Sequence, residues 1–179
     1  MFSLIVCSDL YYGIGMKNGT IPFHNHVDMN HFKNITTNHI VIMGRKTWES
    51  LPIQPLPRRM NVIISKTLSI IDNPNVYIYR SIEECIHSIN VESCFGNKMK
   101  FVIGGATIYN YFITNLLIHS FYHTIVHSNF HCEITMLNFC DIYKKKIIEI
   151  PTLYTKLVNK EFFEHSNEMK WILKYYVLK

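Results

Sequence analysis

Short apolar runs without helical spacing alternate along the chain with segments whose apolar positions recur every three or four residues. Residues 1–8, 39–43, 60–65, 75–79 and 100–103 are rich in Val, Ile, Leu, Met and Phe and end near Gly, Pro or polar residues, the pattern of buried strands. Residues 28–36 place Asp28, Phe32 and Ile35 on one face of a short helix. A second short helix over 46–51 stops at Pro52, and Pro52, Pro55 and Pro57 stiffen the loop behind it. Ser81 and Glu84 form a capping box that opens a helix to about residue 90. Another helix follows Gly104-Gly105, with Ile108, Tyr109 and Phe112 on its inner face. Residues 121–130, 154–165 and 170–178 read as later strands, the last two as a hairpin around Ser166-Asn167. Strands alternating with helices predict an α/β fold, mainly parallel with late antiparallel strands. There is no repeat, low-complexity stretch or linker, so residues 1–179 are expected to form a single domain.

Composition narrows the class. The chain is 48% hydrophobic and 17% charged, which is globular rather than disordered. A formal charge of +5 favours small anionic ligands and gives no reason to expect nucleic acid. Residues 144–146, three lysines, read as a solvated surface. Five cysteines, an odd number with no close pair, fit reduced thiols and a cytoplasmic protein. The apolar stretch over residues 4–7 is too short for a secretory signal, and residues 108–130 are broken by Asn and His, so no membrane span is expected.

Several constellations bear on chemistry. Gly13-Ile14-Gly15 with Gly19 follows the first strand, but Pro22 and more loop come next instead of a helix. That speaks against a Rossmann fingerprint and better suits a flexible loop over a pocket. Gly104-Gly105 stands between a strand and a helix, where it serves either a tight turn or close approach of backbone to a pyrophosphate. Gly44-Arg45-Lys46-Thr47 puts two cations at a helix start, where they oppose the helix dipole unless an anion joins them. Ser65-Lys66 and Arg80-Ser81 end two further strands, and together these basic residues form a rim suited to a phosphate. Asp28 is either a helix cap or an acid sharing an apolar face, where an unpaired charge is costly. His119, His123, His127 and His131 share one parity, but on a strand such neighbours lie about 13 Å apart, too far for one metal. His24 and His26 in a loop are no stronger, and no metal site is expected.

Taken in order, these features resemble dihydrofolate reductase, from residue 2 to about residue 124. The specific pieces are Gly13-Ile14-Gly15, Ile21-Pro22-Phe23, Val41-Ile42-Met43-Gly44-Arg45-Lys46-Thr47-Trp48-Glu49-Ser50, Pro55-Leu56-Pro57 with Arg59, and Ile103-Gly104-Gly105. The resemblance implies a twisted, mostly parallel eight-stranded sheet flanked by helices, with a C-terminal antiparallel hairpin. It implies reduction of 7,8-dihydrofolate by NADPH, serving one-carbon metabolism and thymidylate and purine synthesis, in a cytoplasmic monomer open to antifolates. Asp28 would bind the pteridine's amino group and ring nitrogen, assisted by Thr124. Ile5, Met29, Phe32, Leu51 and Ile103 would line the substrate, and Arg59 would clasp its glutamate carboxylate. Cys7, Ile14, Gly15 and Gly19 would border the cofactor, with Gly44, Lys46 and Thr47 beside it. Arg45, Ser65 and Lys66 would hold its 2′-phosphate, and Arg80 would lie near the adenine. Gly104, Gly105, Ala106, Thr107, Ile108 and Tyr109 would carry the pyrophosphate and nicotinamide ribose, with a cis peptide at the double glycine.

This chain departs from the family pattern in places. Phe23 stands where the family has a tryptophan, so an indole N–H that often holds a water near the substrate is missing. Glu133-Ile134 replaces an aspartate-threonine pair, and Gln54 stands where some members have a second arginine. A related pyrimidine reductase of riboflavin synthesis shares the fold, but Arg59 and the Asp28 helix speak against it. A non-catalytic NADPH- or folate-binding protein is a third reading, opposed by the retained acid and the phosphate rim.

Overall fold

The computed structural model describes residues 1–23, 26–139, 142, 155–163 and 170–178. Ten strands and four α-helices run in the order β1 (Phe2–Asp9), β2 (Gly13–Gly15), α1 (His26–Thr36), β3 (Ile40–Gly44), α2 (Arg45–Ser50), β4 (Met60–Ile64), β5 (Val76–Tyr79), α3 (Ile82–Val91), β6 (Lys100–Gly104), α4 (Ala106–Thr114), β7 (Ile118–Val126), β8 (Ile134–Thr135), β9 (Thr155–Phe163) and β10 (Lys170–Leu178) among the described residues. Eight strands form one sheet in the order β5-β4-β3-β6-β1-β7-β10-β9. The first six are mutually parallel, and β10 runs antiparallel to both β7 and β9. The expected architecture, parallel sheet and closing hairpin, is therefore present.

The apolar runs become central strands because both of their faces are covered. Ile40, Val41, Ile42 and Met43 of β3 are all fully buried. Ile40 and Ile42 join Leu4, Val6, Val62 and Val102 under Ile89 of α3 and Phe112 and Ile113 of α4. Val41, Met43 and Ile63 face the other way, under Trp48 of α2 and Phe32 of α1. A strand pattern of period two thus feeds two cores, one per face.

Local details differ from the expectations in three places. The loop over residues 9–23 contains β2, which pairs with β8 across more than a hundred residues of chain. A two- or three-residue ladder made by so distant a partner leaves no local pattern. Strand β7 spans Ile118–Val126 rather than 121–130, because Ser128 folds back to give its N–H to the Val126 carbonyl at 2.8 Å. In the capping box, Ser81 Oγ accepts from the Glu84 N–H at 3.1 Å, but the Glu84 carboxylate reaches one residue further back, to the Arg80 N–H at 2.7 Å. His24, Cys140, residues 144–146 and the Ser166-Asn167 turn lie outside the described residues.

Candidate active site

The parallel strands all end at one edge of the sheet, and the strand order places those ends in a row. Arg80 follows β5, Ser65-Lys66 follow β4, Gly44-Arg45 close β3, and Gly104-Gly105 close β6. Next come Ile5 and Cys7 of β1, then Tyr122 and Thr124 of β7, paired with them in register. With neighbouring strands about 4.8 Å apart, the row from Arg80 to Thr124 is long enough for an extended two-part ligand. Ligands of open α/β sheets bind outside the carboxyl ends of the strands. The sequence motifs, scattered over more than a hundred residues, are gathered along this edge.

At the β7 end, Asp28 lies in the first turn of α1, three residues inside the helix rather than at its cap position. Thr124, 2% exposed, hydrogen-bonds its carboxylate. Burial holds the Asp28 carboxyl above the ordinary aspartate range, opposed by the Thr124 hydrogen bond and then by the charge of His31. Cys7 feels the same pocket: burial, and secondarily Asp28, push its thiol well above the usual range, so it is a neutral wall and not a nucleophile. The Tyr109 hydroxyl donates to the Ile5 carbonyl at 2.8 Å, and burial holds that phenol protonated. Phe32, Leu51 and Ile103 pack in one apolar cluster with Met43 and Trp48. Met29 is exposed, at the open side of α1.

Arg59 sits beyond this cluster and is only 7% exposed. Its Nε donates to the Pro57 carbonyl at 3.0 Å, its Nη1 to Thr36 Oγ1 at 3.3 Å, and its guanidinium lies 5.8 Å from the Phe32 ring centre. Burial lowers its pKa without discharging so basic a group. Gln54 is engaged elsewhere, donating to the Trp48 carbonyl at 2.7 Å.

Between the two ends, the Gly104–Gly105 peptide is cis. Gly104 has φ +120°, and a Cβ there would come within 3.2 Å of the Tyr109 ring, so only glycine fits. A Cβ on Gly105 would lie 3.3 Å from Thr47 Oγ1, and one on Gly44 would lie 3.3 Å from Ile108. The starts of α2 and α4 are thereby drawn together. Gly105 caps α4 without a side chain, which leaves the first-turn amides of Ala106 and Thr107 available to an anion. The donor set fits a phosphate-bearing nucleotide.

The rim is more occupied than its sequence suggests. Arg45 Nη1 is held by Glu49. Arg80 Nη1 donates to the carbonyls of Ser65 and Leu68 at 3.0 and 2.8 Å, so Arg80 braces the turn after β4. Within that turn Ser65 Oγ accepts from the Leu68 N–H at 2.9 Å, while Lys66 is exposed. On the loop side, Ile14 packs on the core beside Gly15 in β2. A Cβ on Gly19 would lie 4.0 Å from Ser50 of α2, so the loop tip reaches across the site. Phe23 is buried against Val126, Cys7, Phe130 and Cys132. Lys46 and Thr107 are exposed, and Ala106 is partly buried.

Sequence reasoning missed three partners. His31 follows Asp28 by three residues, a spacing that faces it on a helix and could have been noticed. Glu49 was visible only as part of a motif. Asp9, 2% exposed, accepts from the backbone N–H groups of Tyr11, Gly13 and Phe130, a role no local pattern announces. The histidine series divides as well: His119 and His123 lie on β7 and His127 and His131 beyond it, with His123 Nε2 2.8 Å from Ser8 Oγ.

Comparison with known proteins agrees with this geometry. The family model described as dihydrofolate reductase matches residues 1–149. The chain belongs to the dihydrofolate reductase family. A putative dihydrofolate reductase of Caenorhabditis elegans is 30% identical over 177 residues, covering 92% of this chain and 90% of the relative. The dihydrofolate reductase of Buchnera aphidicola is 35% identical over 150 residues, 82% of this chain and 87% of the relative. That of Candida albicans is 41% identical over 118 residues, but these are 59% of this chain and 57% of the relative. The family's reaction, reduction of 7,8-dihydrofolate to 5,6,7,8-tetrahydrofolate, makes the chain an oxidoreductase that uses a nucleotide cofactor.

Proposed function

We propose that this chain is a monomeric cytoplasmic enzyme of one domain, residues 1–179, that takes its hydride from NADPH. The observation that carries the NADPH reading is the row of strand ends, with a half-buried Asp28 paired to the buried Thr124 at one end and a basic rim at the other. When bound, NADPH supplies the hydride; the protein's own residues supply position and charge.

Asp28 accepts hydrogen bonds from the pteridine's amino group and ring nitrogen, and Thr124 orients the carboxylate. The proton reaches the pterin through solvent, with Asp28 polarising the ring rather than touching the accepting atom. Ile5, Cys7, Phe32, Leu51 and Ile103 exclude water around the ring, and Met29 lines its outer edge. The Phe23 side chain offers no hydrogen bond to a water, so turnover or proton delivery is expected to differ from that of members with tryptophan there. Arg59 clasps the glutamate carboxylate, a charged contact worth about 1.5–3 kcal/mol. Gly104, Gly105, Ala106 and Thr107 carry the pyrophosphate, Ile108 and Tyr109 back the nicotinamide ribose, and Ile14, Gly15 and Gly19 close over it. Thr47 and Lys46 stand beside the diphosphate. Arg45, Ser65 and Lys66 meet the 2′-phosphate, while Arg80 supports their turn near the adenine. Antifolates that present a cationic diaminopyrimidine suit the same Asp28 pocket.

The test is a spectrophotometric assay at neutral pH. NADPH should be consumed only when dihydrofolate is added, and NADH should be a poorer donor. Equal use of both donors would remove the 2′-phosphate assignment, and no consumption at all would remove the NADPH reading.

A further inference from the structure

Arg45 and Glu49 stand one turn apart on α2, and Arg45 Nη1 donates to both Glu49 oxygens, at 2.7 and 2.8 Å. The two side chains are 41% and 48% exposed. The pair is set against its helix. Arginine stands at the start of α2 and glutamate near its end, each at the unfavourable pole of the dipole. Arg before Glu is also the weaker of the two orders at this spacing, and half-exposed pairs are loosely held. The contact is therefore one that a better anion can take over.

The neighbouring cations are placed differently. Arg80 Nη1 is committed to two carbonyls, and Lys66 stands at the exposed turn after β4. A phosphate accepts from a guanidinium more strongly than a carboxylate does, because it offers more charge and more acceptor oxygens.

We propose that Glu49 is a specificity-determining residue: it holds Arg45 until a 2′-phosphate displaces it, and so weakens binding of the phosphorylated nucleotide selectively. This rests on the reading that Arg45 meets the 2′-phosphate. A nucleotide without the 2′-phosphate does not need Arg45.

The experiment titrates wild type, E49Q, R45Q and the double variant with adenosine 2′,5′-bisphosphate and adenosine 5′-monophosphate, which differ only by the 2′-phosphate. Calorimetry should show that E49Q raises the preference for the bisphosphate by about two- to fivefold, through that ligand alone. The gain should shrink at high salt and vanish in the R45Q background. An unchanged or reduced preference in E49Q overturns the proposal, the second outcome meaning that Glu49 orients Arg45 productively. A gain that persists without Arg45 overturns it too. If wild type and E49Q are both indifferent to the 2′-phosphate, the phosphate assignment fails as well. A preference seen only in E49Q supports the role of Glu49 and shows the wild-type rim closed to phosphate.

Discussion

Asp9 and Asp28 are two carboxylates beside the same strand pair, and their partners differ: chiefly main-chain N–H groups at Asp9, with the Cys132 thiol beside them, and side chains at Asp28. Asp9, at the end of β1, is 2% exposed and receives main-chain N–H groups: Tyr11 at 2.9 Å and Gly13 at 2.8 Å on one oxygen, Phe130 at 3.3 Å on the other. It ties the start of the glycine loop to the chain beyond β7. Asp28, on α1, meets side chains instead, the Thr124 hydroxyl and the charge of His31, in a pocket that disfavours its ionised form. Main-chain donors hold a carboxylate as part of the fold. A carboxylate left with side-chain partners and a burial penalty can exchange them for a ligand.

The comparison can be broken by making one substitution at both sites. Asp28→Asn should lower turnover by about 10²–10⁴-fold at neutral pH with the fold intact, as expected for loss of a positioned acid–base group. Steady-state kinetics on the folded variant would show it, and full activity would reverse the roles assigned to the two aspartates. Asp9→Asn sets an amide NH₂ against a backbone N–H, donor to donor. It should cost about 2 kcal/mol of stability in urea denaturation, with a smaller loss of turnover per folded molecule.

Thr124→Val sharpens the Asp28 side alone. Valine fills the same space in β7 but cannot donate, and a lost hydrogen bond to a charged group should lower kcat/KM about tenfold. The Thr124 bond holds the Asp28 pKa down, so its removal moves the limb of the pH–rate profile that reports Asp28 to higher pH. A tenfold loss with an unmoved limb would mean that Thr124 contacts only the substrate.

The two aspartates also divide what a sequence reveals from what it conceals. Strands β1, β3, β4, β5 and β6 were legible because each is a compact apolar run, and the order of motifs carried the family and its sheet. The apolar companions of Asp28 were legible because helix spacing puts Phe32 on its face. Asp9 was not, since its donors are main-chain groups, one of them more than a hundred residues away. The same holds for β2 and β8, whose ladder is short and distant. At the rim, sequence located the cations but not their occupations: Glu49 on Arg45, two carbonyls on Arg80. Charge can be counted along a chain, whereas the state of a charge depends on what folds against it.

The smallest expected effect is in the pH dependence of stability at the Asp28 site. Burial raises the Asp28 pKa in the folded state above its unfolded value. A group shifted that way contributes stability in full below the unfolded pKa, and the contribution is lost as pH rises through the folded pKa. Wild type should therefore lose stability relative to Asp28→Asn between the ordinary aspartate range and neutrality, and Asn, which carries no charge into the pocket, should not. Thermal melts should place Asp28→Asn modestly above wild type near pH 7, with the difference closing in acid. Asp9→Asn should instead melt below wild type, because an amide there faces main-chain donors with a donor of its own. A melting temperature for Asp28→Asn below wild type at neutral pH would mean that Thr124 and His31 more than offset burial, which would make Asp28 as structural as Asp9.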